Sequence, residues 1–180
     1  MPDKWTVSVL REPSSRGGSD YIHDHLVVGS RVASAGPRNH FAFRPGAGGG
    51  VLFVAGGIGI TPLLPMIARA DEAGADWRLV YLGRARTGMA YIDDLAKYGD
   101  RVEIRPDDEY GIPDVAALIS ATAPGTSVYT CGPKVCSPLW SRCARRRRRR
   151  ARSASSVSCR RSWRRTDPTA SSRSSSPRAV

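Results

Sequence analysis

The residues best suited to chemistry in this sequence are glycines and the polar groups beside them. Gly56-Gly57-Ile58-Gly59 places three glycines in four positions, followed directly by Ile60-Thr61-Pro62. Glycines bare the backbone and permit a sharp turn. Thr61 suits a helix cap, and Pro62 suits a first helical position, where a missing N–H costs nothing. A helix N-terminus carries unsatisfied N–H donors and a partial positive charge, so this stretch suits a pyrophosphate. It is not the G-x-G-x-x-G fingerprint: with Gly57 and Gly59 as its first two glycines, Pro62 takes the third position. Arg16-Gly17-Gly18-Ser19 is a second anion-type loop, with two bare residues, a hydroxyl that can donate and a short helix next. A plain surface turn is the alternative. Arg84 and Arg86 are paired cations that suit a phosphate. Cys131-Gly132-Pro133 sets a polarizable thiol beside another glycine; a buried structural cysteine is the alternative.

These groups need elements to hold them in place. Val51 to Ala55 is an apolar run that reads as a buried parallel strand feeding the glycine turn. The helix after Pro62 carries Leu63, Leu64, Met66, Ile67 and Ala70 on one face and closes at Asp71-Glu72-Ala73-Gly74. Strands are expected at Trp77–Leu82, Arg101–Arg105 and Thr126–Thr130, and helices at Met89–Tyr98 and Ile112–Ala121. This β-α-β-α-β-α-β alternation predicts an α/β fold with a doubly wound parallel sheet. Ligands of such sheets sit beyond the carboxyl ends of the strands. That edge gathers Gly56-Gly57-Ile58-Gly59, Arg84-Ala85-Arg86, Asp107-Asp108-Glu109 and Cys131-Gly132-Pro133. Upstream, Trp5–Leu10 and Arg31–Ala35 read as strands, Asp20–Leu26 as a short helix, and Pro45–Gly50 as a linker. His23 and Asp24 fit ordinary polar positions of that helix.

The chain of 180 residues has a net charge of +12, and the average hides two halves. Residues 1–133 hold 13 Lys and Arg against 15 Asp and Glu; residues 134–180 hold 15 against the single Asp167, with an unbroken run from Arg145 to Arg150. A tail of Arg, Ser, Pro and Ala cannot bury enough apolar surface to offset its chain entropy, which predicts disorder over 135–180. Its composition also fits a G+C-rich gene read out of frame; a genuine basic tail is the other reading. Only Trp140 and Trp163 could stack on bases there, which argues against nucleic acid as a partner. No apolar stretch is long enough to span a membrane, and the N-terminus lacks a signal-peptide core, so a cytoplasmic chain is expected. Four cysteines give no disulfide framework.

Four motifs, in this order, resemble the ferredoxin reductase superfamily, in particular reductases of the phthalate dioxygenase and vanillate demethylase type. Arg16-Gly17-Gly18-Ser19 with His23-Asp24 is similar to the flavin-phosphate loop. Gly36-Pro37-Arg38-Asn39-His40-Phe41 is similar to the end of the flavin barrel, Ala55 to Pro62 to the pyridine-nucleotide loop, and Tyr129-Thr130-Cys131-Gly132-Pro133 to the strand end facing the nicotinamide. The resemblance covers roughly residues 4–134. It implies residues 1–45 as the last part of an antiparallel flavin-binding β-barrel and 46–134 as an NAD(P)-binding α/β domain. It implies transfer of electrons from NADH through a flavin, FMN with FAD as the alternative, to an iron–sulfur protein or terminal oxygenase. It places Thr61 and Cys131 at the catalytic centre. Gly56, Gly57, Gly59, Arg84, Arg86, Asp108, Gly132 and Pro133 join them at the nucleotide, and Arg16 to Ser19 lie at the flavin phosphate.

Several features depart from the family pattern. No Arg-x-Tyr-Ser motif for the flavin ring occurs, so flavin binding by this chain alone is expected to be weak or absent, and a non-catalytic nucleotide-binding module is the alternative reading. No 2Fe–2S domain is expected within this chain: Cys131, Cys136 and Cys143 begin like a cluster motif, but the second gap is six residues where two are wanted. No metal ligand set is expected. No Asp or Glu ends the second strand to hold a ribose 2′-hydroxyl, so NADH over NADPH rests on the resemblance.

Overall fold

The structure, a computed structural model, describes residues 4–34, 36, 38–44 and 49–132, and the backbone of 157–159. Strands β1 (Val51–Gly56), β2 (Trp77–Gly83), β3 (Val102–Pro106), β4 (Ser127–Cys131) and β5 (Val157–Cys159) form one sheet. Their order is β3-β2-β1-β4-β5, and every pairing is parallel. The helices are α1 (Gly18–His25), α2 (Leu64–Glu72), α3 (Ile92–Ala96), α4 (Asp107–Tyr110) and α5 (Val115–Ser120).

The sheet is apolar on both faces because both are covered. Successive residues of a strand point to opposite faces. Phe53 and Ala55 of β1 therefore join Tyr81 of β2 and Met66, Ile67 and Ala70 of α2 in one core. Leu52 and Val54 join Val80, Val115 and Val128 in the other, with Leu118 and Ile119 of α5 against it. Every residue of β1 is buried, as a central strand between two layers requires. α5 is started by Asp114, whose carboxylate accepts from the N–H groups of Ala116 and Ala117 at 2.9 and 3.1 Å.

Phe43 locks the upstream segment onto the first core. Its ring lies 5.7 Å from Phe53 and meets Tyr129 edge-on at 5.2 Å. The Tyr129 hydroxyl accepts from the Arg44 N–H and donates to the Arg44 carbonyl.

Upstream of residue 44 the expected strands do not form. Residues 5–10 and 31–34 make no strand pairing, and only α1 is regular there. A strand needs a neighbour to take its N–H and C=O groups, and no described strand pairs with these segments. Their apolar side chains stay in solvent: Trp5 is 53% exposed, Val7 81% and Val32 68%. Most of the basic tail, with Pro133, lies outside the described residues. Within it, the backbone of Val157–Cys159 pairs with β4 as β5.

Tyr81 lies fully buried in β2, and its hydroxyl donates to the Ala90 carbonyl at 3.1 Å. Burial pushes its pKa from 10.0 up to about 12. The neutral phenol therefore contributes stability that is whole below about pH 10 and is lost as the pH rises toward 12. Urea unfolding of Tyr81→Phe across that range is expected to show a flatter alkaline decline than the parent chain. An equal decline in both would remove Tyr81 as its cause.

Candidate functional site at the carboxyl edge of the sheet

The carboxyl ends of β1 and β4 meet backbone to backbone. β1 ends at Gly56, and the chain enters a 3-10 turn over Gly57–Ile60. Gly57 has φ 53, and a Cβ built there meets nothing within 4 Å, so it stands over open space. Gly59 and Gly132 are different in kind. A Cβ on Gly59 would collide with the Cys131 carbonyl and lie 2.7 Å from the Gly132 nitrogen. A Cβ on Gly132, where φ is 134, would lie 2.5 Å from the Gly56 carbonyl oxygen. Two glycines thus close the β1–β4 seam, and the third, Gly57, stands over open space beside it.

Thr61 does not cap α2. Its hydroxyl donates to the Ile58 carbonyl at 3.0 Å, and its own N–H reaches the same carbonyl at 3.2 Å. α2 begins at Leu64, with Leu63 in the cap position and Pro65 in the first turn. The glycine turn coils tightly through Ile60, so the regular helix starts later than Pro62. The helix N-terminus expected at Thr61 is therefore not formed there. Cys131 pairs in register with Ala55, is half-buried and takes no part in a disulfide.

Along the same edge, β2 ends at Gly83, whose absent Cβ leaves room for the Met89 side chain. Arg84 is exposed, and Arg86 opens a 3-10 turn over Arg86–Gly88. The two arginines do not act as a free pair. Arg86 Nε donates to Glu109 Oε1 at 3.1 Å and Nη2 to Oε2 at 3.4 Å. That carboxylate, hydrogen-bonded to the guanidinium, holds Arg86 still more firmly protonated than usual. The Asp108 N–H donates to the Arg84 carbonyl at 3.1 Å, tying the β2 and β3 loops together. The sequence places Glu109 at this edge within Asp107-Asp108-Glu109, but nothing in it pairs Glu109 with Arg86.

The second anion-type loop is separate. Gly17 has φ 98, and a Cβ at Gly17 or Gly18 would meet nothing within 4 Å. Ser19 is occupied within the loop: its hydroxyl donates to Ser15 Oγ at 2.9 Å and accepts from the Glu12 N–H at 3.3 Å. Its hydroxyl proton is therefore already committed, contrary to the expectation of a donor aimed at a phosphate. Arg16 is exposed beside it. His23 bonds the Val9 carbonyl at 2.8 Å, and Asp24 takes Arg11 Nη2 at 2.7 Å, so both tie α1 to the segment before it.

A pyridine dinucleotide fits the carboxyl edge on the geometry at Gly57, where bare backbone at positive φ faces open space. The Arg16–Ser19 loop fits at most the phosphate end of a flavin. Among the described residues, no group of three or more His, Cys, Asp or Glu is placed to hold a metal, and no helix is long and apolar enough to cross a membrane.

No protein-family model matches the chain. Individual proteins do. It is 46% identical over 132 residues to the phenoxybenzoate dioxygenase subunit beta of Ectopseudomonas oleovorans, covering 72% of this chain and 41% of that one. It is 39% identical over 134 residues to the vanillate O-demethylase oxidoreductase of Pseudomonas sp. (strain HR199 / DSM 7063), covering 72% and 42%. Among solved structures it superposes on phthalate dioxygenase reductase with a TM-score of 0.61 at 34% identity, covering 76% of this chain and 43% of that one. That protein is described as modular, for electron transfer from pyridine nucleotides to 2Fe–2S. An intact type IV self-sufficient cytochrome P450 monooxygenase matches with a TM-score of 0.67 at 40% identity, over 83% of this chain and 19% of that one. The chain spans about two-fifths of the length of the curated relatives it matches.

Proposed function

Because the chain belongs to the ferredoxin reductase superfamily, with the reductases of aromatic-ring oxygenases of the phthalate dioxygenase and vanillate demethylase type, we propose that it is the nucleotide-binding part of such a reductase. In this reading it is an oxidoreductase that takes electrons from NADH and passes them through a flavin, FMN or FAD, to an iron–sulfur protein or terminal oxygenase, in the cytoplasm. The observation that carries the reading is the open, bare backbone at Gly57 on the carboxyl edge of a parallel sheet. Residues 1–45 then belong to the flavin side and 46–134 to the nucleotide side.

The chain's own residues bind and orient; the nicotinamide and flavin, when bound, supply the hydride and electron chemistry. Gly57 offers backbone to the pyrophosphate. Gly56, Gly59 and Gly132 hold the seam shut beneath it. Thr61, with its proton spent on Ile58, leaves lone pairs toward a ligand and fixes the turn. Cys131, two residues before Pro133, would hold its thiol near a bound nicotinamide. Arg84 and Asp108 serve the adenosine side. Arg16, Gly17 and Gly18 serve the flavin phosphate through charge and backbone, with Ser19 shaping their loop.

Calorimetric titration of the full chain with NADH tests this reading. Saturable binding of one nucleotide per chain is expected, with only weak binding of added FMN. A chain that binds no pyridine nucleotide would not be the nucleotide half of a reductase.

A further inference from the structure

We propose that Glu109 makes this chain prefer NADH to NADPH by occupying Arg86. The inference rests on reading the carboxyl edge as a dinucleotide site. A dinucleotide whose pyrophosphate lies over the β1 turn carries its adenosine across the end of the neighbouring strand, β2. The residues that meet its ribose there decide between a 2′-hydroxyl and a 2′-phosphate. An acidic residue at the end of β2 commonly excludes the phosphate, and β2 ends instead in Gly83-Arg84-Ala85-Arg86. Read along the sequence alone, that loop invites NADPH.

Folding supplies the missing carboxylate from the next strand. β3 runs directly into α4, which carries Glu109 to the Arg86 guanidinium. Both guanidinium nitrogens in contact face both carboxylate oxygens, at 3.1 and 3.4 Å. This fork-on-fork contact uses donors that would otherwise grip a phosphate. The carboxylate adds its own repulsion toward a 2′-phosphate, a discrimination made by penalising the wrong ligand. The bond from the Asp108 N–H to the Arg84 carbonyl keeps the two loops in register. Asp107 and Asp108, the other charged groups of α4, are acidic as well.

The test uses the full chain and binding alone. NADH and NADPH are titrated calorimetrically into the parent, Glu109→Gln, and Glu109→Gln combined with Arg86→Gln. The parent is expected to favour NADH. Glu109→Gln should shift the NADPH-to-NADH affinity ratio toward NADPH by about tenfold, the return of one charge-assisted contact. Adding Arg86→Gln should cancel that shift. A ratio unmoved by Glu109→Gln, or a shift that survives loss of Arg86, overturns the inference while leaving the nucleotide site standing. A parent chain that binds neither nucleotide overturns both.

Discussion

Gly57→Val is expected to lower NADH affinity by at least a hundredfold while the chain stays folded. Gly57 has φ 53, and its Cβ direction is empty to 4 Å. A valine there strikes nothing in the protein, so its structural cost is the backbone strain of a β-branched residue at positive φ, about 1–3 kcal/mol. That lies within the stability of an ordinary domain, about 5–15 kcal/mol. On the proposed function, the isopropyl group instead fills the space the pyrophosphate needs. A hundredfold loss is about 2.7 kcal/mol, modest against excluding a charged group from its donors. Calorimetry reports the affinity, and circular dichroism with urea unfolding reports the fold. Full NADH affinity in a folded valine variant would move the phosphate site away from Gly57.

Gly59→Ala is expected to do the opposite, lowering stability by about 3 kcal/mol before any ligand is considered. Its Cβ would run into the Cys131 carbonyl and close to the Gly132 nitrogen, and both neighbours are backbone of the adjoining strand end. A side chain can rotate away, whereas a strand held in register with Val51–Ala55 cannot give without breaking pairing. Gly132→Ala should behave alike, since its Cβ would press on the Gly56 backbone from the other side. Urea midpoints measure both effects. A midpoint unchanged in either variant would show that the seam is looser than the geometry implies. Together with Gly57→Val, these variants separate glycines that admit a ligand from glycines that let two strands touch.

The parallel sheet was legible because a buried central strand leaves a long apolar run, and Val51–Ala55 followed by glycines is such a run. Boundaries at the other strands moved by a residue or so: Val102–Pro106 in place of Arg101–Arg105, and Ser127–Cys131 in place of Thr126–Thr130. Helix starts were less legible. Thr61 and Pro62 carry the chemistry of a cap, but the preceding glycines coil tightly enough to consume them, and α2 waits until Leu64. Conversely, Asp114 caps α5, although the apolar pattern had suggested a start at Ile112. α3 is shorter than its pattern because Tyr91, at φ 65, breaks from right-handed geometry at its start, its hydroxyl hydrogen-bonded to Ser8. The Arg86–Glu109 contact was illegible for another reason. It joins the ends of two strands, and no local pattern reports which loop tips become neighbours.

The strand order gives the site a history as well as a shape. β1, β2 and β3 pair in the sequence in which they are made, each beside the last. β4 must instead return past β2 to reach β1, closing a long loop before its pairing repays the entropy. The Gly56–Gly132 seam therefore joins β1 to a strand far from it along the chain. Such a joint is expected to open before the β1–β2 and β2–β3 pairings. On the proposed function, a nucleotide lying across it would bind only the docked form and by mass action make each opening rarer. Occupancy should then slow amide exchange in β4 while leaving β2 and β3 as they were, so that the molecule records its ligand in the tempo of a single strand.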